Sequence, residues 1–473
     1  MVFSSSIFLL YFLPVFLLVY HLVGGRLKNW VILIASILFY SWGAPKFVFV
    51  ILASTIVDFY IVQKLASSTA KSTRNGLLFT SVLINLGLLL YFKYSNFFIE
   101  NVNELLSVFG GNSIQWTKVI LPIGISFYTF QTLTYSIDVY RKVHPPLDKL
   151  SDYLLYIMSF PQMIAGPIVR FNEIADEITN RKEVIDDKLI GFFRFCIGLS
   201  KKVLIANVMG QQADTIFNME VEQLHYLTAW TGILAYTFQI YFDFSGYSDM
   251  AIGLGKMMGF HFPENFNSPY TAKNISEFWR KWHITLGAFM RDYLYIPLGG
   301  NRVASKYRVY LNLWVVFLLS GLWHGASWNF VLWGAYHGLF LILDRLFLVK
   351  LLQKLGSFFS ILFTFIVVML GWLLFRLEDF SEVLLYSKRM FDFGAYQKTD
   401  LIPFAFEMGI VAIVFSFFAA LKVGKRIQDF IYEREAYTLP QYFVIIGFSF
   451  LLFMTSLGAI TASKFNPFIY FRF

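Results

Sequence analysis

Apolar runs long enough to cross a bilayer recur from one end of the chain to the other, separated by short clusters of charge. A crossing helix needs about 20 predominantly apolar residues. Runs of this character lie near 5–24, 29–43, 47–63, 76–97, 117–140, 152–168, 190–208, 226–246, 309–323, 327–347, 357–375, 402–421 and 440–461. Several are shorter than a full span and are expected to form hairpins or re-entrant pieces, so the pattern predicts an all-α, polytopic membrane protein with roughly 11 crossings. No internal repeat, low-complexity tract or long linker divides the chain, and one membrane domain over residues 1–473 is the simplest organisation.

Charge then orients the runs. Lys and Arg gather in 26–28, 64–74, 141–149 and 256–308, whereas 98–116 and 209–225 have neither. By the positive-inside bias the basic group faces the cytoplasm and the two uncharged-to-acidic loops face outward. The formal charge of +9 is thereby assigned to topology and not to nucleic acid. Residues 377–400, with Lys388, Arg389 and Lys398, fit this scheme badly and leave the last third of the chain without a clear orientation. The first apolar run has no basic residue before Arg26 and reads as a retained span with its start outside. Composition agrees with the membrane reading: 57% of residues are hydrophobic and 15% charged, with 55 Phe and 27 Tyr available for lipid-facing and interfacial positions. A single cysteine, Cys196, excludes an internal disulfide and a CxxC pair, and is expected to be a small buried apolar residue.

Polar residues interrupt the apolar pattern in four places. At 159–167, SFPQMIAGP breaks a run with two prolines and a glycine, and such backbone at membrane depth requires surrounding protein or water; a re-entrant element lining a cavity is expected. At 239–260, Asp243, Ser245, Ser248 and Asp249 sit among glycines. Helix capping at the membrane exit is the preferred reading of these carboxylates, and an ion or proton pathway the alternative. At 276–302, about 100° per residue puts Phe278, Trp282, Leu286, Phe289 and Tyr293 on one face of a helix, with Arg280, His283, Gly287 and Arg291 opposite. This predicts an amphipathic helix at the cytoplasmic interface, either resting on lipid phosphates or closing a cavity with His283 turned inward. The fourth interruption is SGLWHGASWNF, residues 320–330. An imidazole inside a span is costly without partners, which makes His324 a functional candidate, weighed against a histidine that simply donates to a backbone carbonyl. His337 falls roughly 140° around a continuous helix from it and is assigned a structural or interfacial place. His21, His144, His225 and His261 lie near segment ends and need no special role.

The chemistry is narrowed by what is missing. The chain has neither a G-x-S-x-G elbow nor H-E-x-x-H, and its histidines are not spaced to share zinc. Direct acyl transfer from an activated donor to a hydroxyl fits, since it needs one base, a donor pocket and groups that stabilise an oxyanion.

Three long blocks then resemble the signature regions of the membrane-bound O-acyltransferase family, in its bacterial alginate O-acetyltransferase branch: QIYFDFSGYSDMAIGLGKMMGF, NFNSPYTAKNISEFWRKWHITLGAFMRDYLYIPLGGNR and SGLWHGASWNFVLWGAYHG. The stretches MVFSSSIFLLYFLPVFLLVY, FYSWGAP and SFPQMIAGPIVRF resemble the same branch, and the final 100 residues resemble it least. The resemblance implies a ring of tilted helices around a thin centre, with a cytoplasmic funnel joined by a tunnel to an outward opening. It implies that His324 corresponds to the family's invariant histidine, acting as base or proton shuttle, and His283 to the second tunnel histidine of bacterial members. Acetyl-CoA is the implied acyl donor, arriving from the cytoplasm, with no metal. Arg280, Lys281, Arg291 and Arg302 are candidates, on electrostatic grounds, for its phosphates. The implied setting is the bacterial cytoplasmic membrane, crossed many times, with an esterase-like extracytoplasmic partner protein that modifies an exopolysaccharide or peptidoglycan. The competing expectations are D-alanyl transfer to a wall polymer and a transporter or lipid-linked sugar flippase. Transporters often carry paired inverted repeats, and none is visible.

Overall fold

The computed structural model of the protein describes residues 1–393, 403–432, 437–463 and 465–469. Lys398 and the rest of 394–400, where the loop charge conflicts with the topology scheme, lie outside them. Among the described residues all regular structure is helical, and the one β feature is an isolated antiparallel bridge between Phe266 and Trp282. The all-α expectation holds. Among the described residues, four helical stretches are long and apolar enough to cross a membrane, Val48–Ser67, Lys71–Val108, Trp328–Arg376 and Leu439–Ala462, with shorter apolar helices at Phe8–Leu22, Leu27–Gly43 and Gly409–Phe418. Other apolar runs form helices that carry buried charge or that stop short. The run beginning near 117, for instance, becomes helical only at Ile125.

The chain packs as two compact units, the first made of residues 1–188 with 254–263 and the second of 189–253 with 264 onward. In the first, Phe3, Phe8, Phe12, Phe39 and Phe160 form an aromatic nucleus, with Phe12 and Phe39 each 5.5 Å from the Phe160 ring. The SFPQMIAGP segment packs here. The helix Leu150–Met158 ends at Ser159, a short turn Phe160–Met163 follows, and Phe160, Gln162, Met163 and Ala165 are fully buried. The freed backbone is satisfied inside the protein: the Phe160 amide donates to Ser36 Oγ (3.0 Å), and Gln162 Nε2 donates to the Tyr156 carbonyl (2.7 Å). The segment is thus held in the protein interior, as broken backbone at membrane depth requires. A second buried feature of this unit is a carboxylate, Asp58, in the helix Val48–Ser67. It accepts from Ser81 (2.5 Å), Asn85 (3.0 Å), Tyr153 (2.6 Å) and Ser136 (3.3 Å).

The second unit is organised on the 32-residue helix Tyr226–Met257. This helix runs through both carboxylates of the second interruption, so they do not cap helix ends. Asp243 pairs with Lys202 (2.7 Å) and accepts the Ile469 amide (2.7 Å), while Asp249 pairs with Arg194 (2.9 Å) and Lys201 (2.7 Å). The cations come from the adjacent helix Ile185–Ser200 and its π-helical continuation Lys201–Ala206. They reach because the two backbones touch: a Cβ on Gly198 would lie 2.5 Å from the Gly246 carbonyl, and one on Gly253 would lie 2.4 Å from that of Gly191. Cys196 is buried in the same helix, as expected.

Candidate active site

His283 is placed by a break that the sequence pattern hides. Instead of one amphipathic helix across 276–302, the chain forms Ile275–Lys281, steps out at Trp282 (φ −102°, ψ 127°), takes left-handed backbone at His283 (φ 46°, ψ 54°), and resumes as Ile284–Phe289 and a π turn Met290–Tyr295. Left-handed backbone at a residue other than glycine costs of order 1 kcal/mol or more and persists only where its surroundings over-determine it. Here they do. The Asn267 amide donates to the Lys281 carbonyl and the Ile284 amide to the Asn265 carbonyl, both at 2.9 Å, clamping the break against residues 265–267. The first short helix is fixed at its start by Asn274, whose side chain accepts the Glu277 amide (2.7 Å), and by Asp344, which accepts from Ser276 N (2.7 Å) and Oγ (2.9 Å). The result turns His283 into the interior, 1% exposed, with the Phe244 ring edge-on at 4.7 Å.

The hydrogen bonds around that ring fix its chemistry. His283 Nδ1 lies 2.9 Å from Asn265 Oδ1, which also accepts the Thr285 hydroxyl (2.9 Å) and faces the Thr285 amide (3.4 Å). Asn265 Nδ2 donates to Ser248 Oγ at 3.0 Å. The other ring nitrogen, Nε2, is buried with no hydrogen-bond partner. Ser248 and Asn265 border a small polar cavity of about 30 Å³, together with Arg194, Lys201, Asp249 and Glu264.

His324 is the last residue of the helix Lys306–His324 and is 6% exposed. Trp323, Trp333 and Phe375 stand edge-on to its ring at 4.9, 5.1 and 5.3 Å. The following helix, Trp328–Leu343, folds back in backbone contact: a Cβ on Gly321 would lie 2.2 Å from the Phe330 carbonyl, and one on Gly334 would lie 2.4 Å from that of Phe317. Trp323 and Trp333 pack on the His324 ring, whereas Trp328 is 61% exposed. Trp323 also contacts His283, at 6.1 Å between ring centroids, so the two expected histidines meet on a common aromatic side chain.

His337 is fully buried, not interfacial, and neither of its ring nitrogens has a hydrogen-bond partner. It packs on Trp279 (4.9 Å) and Trp333 (5.0 Å), so Trp333 touches both His324 and His337 although the two histidines lie on different helices. They meet because the helix ends at His324 and a new one starts at Trp328, so the 140° separation of a continuous helix does not apply. The four expected cations divide. Arg280, Arg291 and Arg302 are exposed, Arg291 being paired with Asp292 (2.6 Å), whereas the less exposed Lys281 is paired with Glu277 (2.5 Å). Asn265 was not among the sequence candidates, because a lone asparagine in a polar turn carries no periodic signal.

Residues 141–377 match the MBOAT, or membrane-bound O-acyltransferase, family. The chain is 43% identical to the probable alginate O-acetylase AlgI of Pseudomonas aeruginosa, over 85% of this chain and 77% of that one. It is 36% identical to the peptidoglycan O-acetyltransferase of Helicobacter pylori, over 82% and 80% respectively. With the teichoic acid D-alanyltransferase of Bacillus subtilis the identity is 31%, covering 46% of this chain and 58% of the relative. Both histidine blocks fall inside the matched region, and the chain belongs to the membrane-bound O-acyltransferase family as an O-acetyltransferase.

Proposed function

We propose that this membrane enzyme takes acetyl groups from cytoplasmic acetyl-CoA and delivers them, through an extracytoplasmic partner protein, to a polysaccharide such as an alginate-like exopolymer or peptidoglycan. The observation that carries the reading is the convergence of His283 and His324 on Trp323, with one imidazole nitrogen of the pair buried and unpartnered. In this reading His324 is the base or proton shuttle and His283 its partner. As the acceptor hydroxyl oxygen bonds to the acetyl carbon, its proton passes to imidazole and the C–S bond breaks. The proton then leaves on the thiol. General acid–base help of this kind contributes about 10²–10⁴ in rate.

Supporting parts of the proposal are a chain crossing the cytoplasmic membrane roughly 11 times as one domain, a ring of helices with a tunnel to both sides, and a cytoplasmic mouth where the exposed Arg280 and Arg302 meet the phosphates of the donor. Lys281 and Arg291 serve there only by exchanging their carboxylate partners for phosphate. D-alanyl transfer is the second reading, favoured by the Bacillus subtilis relative, although that likeness covers 46% of this chain against 82% or more for the two acetyl-transferring relatives above. Purified protein in detergent, given radiolabelled acetyl-CoA and its partner, is expected to bind and turn over the thioester. Neither binding nor turnover, or turnover only with an aminoacylated carrier, rejects acetyl transfer.

A further inference from the structure

The strongest unassigned observation is the hydrogen-bonded chain behind His283. Asn265 is 1% exposed and lies on the segment that clamps the histidine's left-handed backbone. Which way its amide faces follows from a neighbour: the Thr285 main-chain N–H is directed at Asn265 Oδ1 and can only donate, and on the other side Nδ2 reaches Ser248 Oγ, which accepts. An amide oxygen cannot donate, so the proton shared at 2.9 Å must belong to His283 Nδ1. A neutral imidazole carries one ring proton. Nε2 therefore holds a lone pair, and it is the nitrogen left buried with no partner.

We infer that Asn265 is a positioning residue for acyl transfer, holding His283 as its Nδ1–H tautomer so that Nε2 enters the cycle as a proton acceptor. The inference rests on the proposed role of the histidine pair. It specifies the state of the supporting histidine: His283 arrives able to take a proton at Nε2, because its Nδ1 proton is committed to an oxygen that can only accept. The oxygen on Asn265 is in turn held by two Thr285 donors, and its amide nitrogen by Ser248, so the amide that orients the ring cannot turn without breaking several bonds.

The test uses full-length protein labelled with ¹⁵N-histidine, with the His283 signal identified by its loss in His283→Gln, alongside CoA release from acetyl-CoA. Wild-type protein is expected to show His283 protonated at Nδ1. Asn265→Leu should move that signal toward the Nε2–H form and lower kcat by about 100-fold with little change in KM for acetyl-CoA, within the range of a lost proton acceptor. Asn265→Asp keeps an acceptor oxygen facing Nδ1, and Ser248 can reverse to donate. It should retain the tautomer and stay within about 10-fold of wild type, far above Asn265→Leu. Thermal melting separates misfolding from misorientation. A wild-type His283 protonated at Nε2, or a tautomer unchanged in a folded Asn265→Leu, overturns the inference. The tautomer shifting as expected while both Asn265→Leu and His283→Gln release CoA at the wild-type rate overturns instead the catalytic role of His283.

Discussion

Each unit buries a polar cluster, and the two are finished differently. Around Asp58 in the first unit, Ser81, Asn85, Ser136 and Tyr153 all point at one carboxylate, and both its oxygens are engaged. Around His283 in the second, Asn265, Thr285 and Ser248 satisfy one side of the imidazole and leave the other bare. An unsatisfied buried polar atom costs about 1–3 kcal/mol. The complete network holds helices together. The incomplete one has an atom available for a reaction partner, in the place where both expected histidines meet.

Substitutions that separate these two roles sharpen the contrast. The largest effect is expected at His324→Ala: acetylation should fall about 10³-fold in membranes carrying normal amounts of inserted protein. Normal turnover there, or disappearance of the protein, returns His324 to a packing role. Asp58→Ala should do the reverse. Four groups lose their acceptor, stability should fall by about 3 kcal/mol or more, and turnover per folded molecule should stay unchanged in a thermal-melt and activity comparison. Lower turnover at full stability would erase the distinction between the clusters.

A smaller effect is expected at the helix hairpin that carries His324. Gly321→Ala forces a methyl against the Phe330 carbonyl, 2.2 Å from the new Cβ position, and should cost about 1–3 kcal/mol with a partial loss of activity, since His324 is only one turn further on. Unchanged melting would mean that the backbones separate freely. The smallest belongs to His261, in the loop part of the first unit, where a hydrogen bond to Glu177 (2.7 Å) outweighs burial and, with Asp187, raises the imidazole pKa above its ordinary value. A group whose pKa is raised on folding stabilises fully below its unfolded value and loses that contribution as pH climbs through the folded one. His261→Gln should accordingly lower stability by less than about 1 kcal/mol near pH 6, the side chain being half exposed, and by nothing in alkaline buffer. A pH-independent difference would assign the loss to packing.

How far the site was legible in the chain differs residue by residue. His324 stood out because imidazole is conspicuous in an apolar run, and its tryptophan and glycine neighbours were equally visible. Arg194 and Lys201 could not be matched in advance with Asp249, because the pairing depends on where two glycine-lined helices touch. The angular plot of 276–302 set His283 on the polar flank, and an inward turn was one of two readings. The break at Trp282 settled that orientation, and it is held by main-chain bonds to residues 265–267 that no periodicity encodes. His337 was separated from His324 by the same assumption of an unbroken helix, and Trp333 brings them together.

Solvent preference is written locally. Apolar runs, basic loops and a costly imidazole declare themselves one residue at a time, so a helical membrane enzyme and its first histidine were determined by the chain alone. Partnership is not local. Which nitrogen of His283 is bound, and by what, rests on Asn265 arriving from 18 positions away. Only a folded backbone, held in a conformation that its own residues disfavour, decides it.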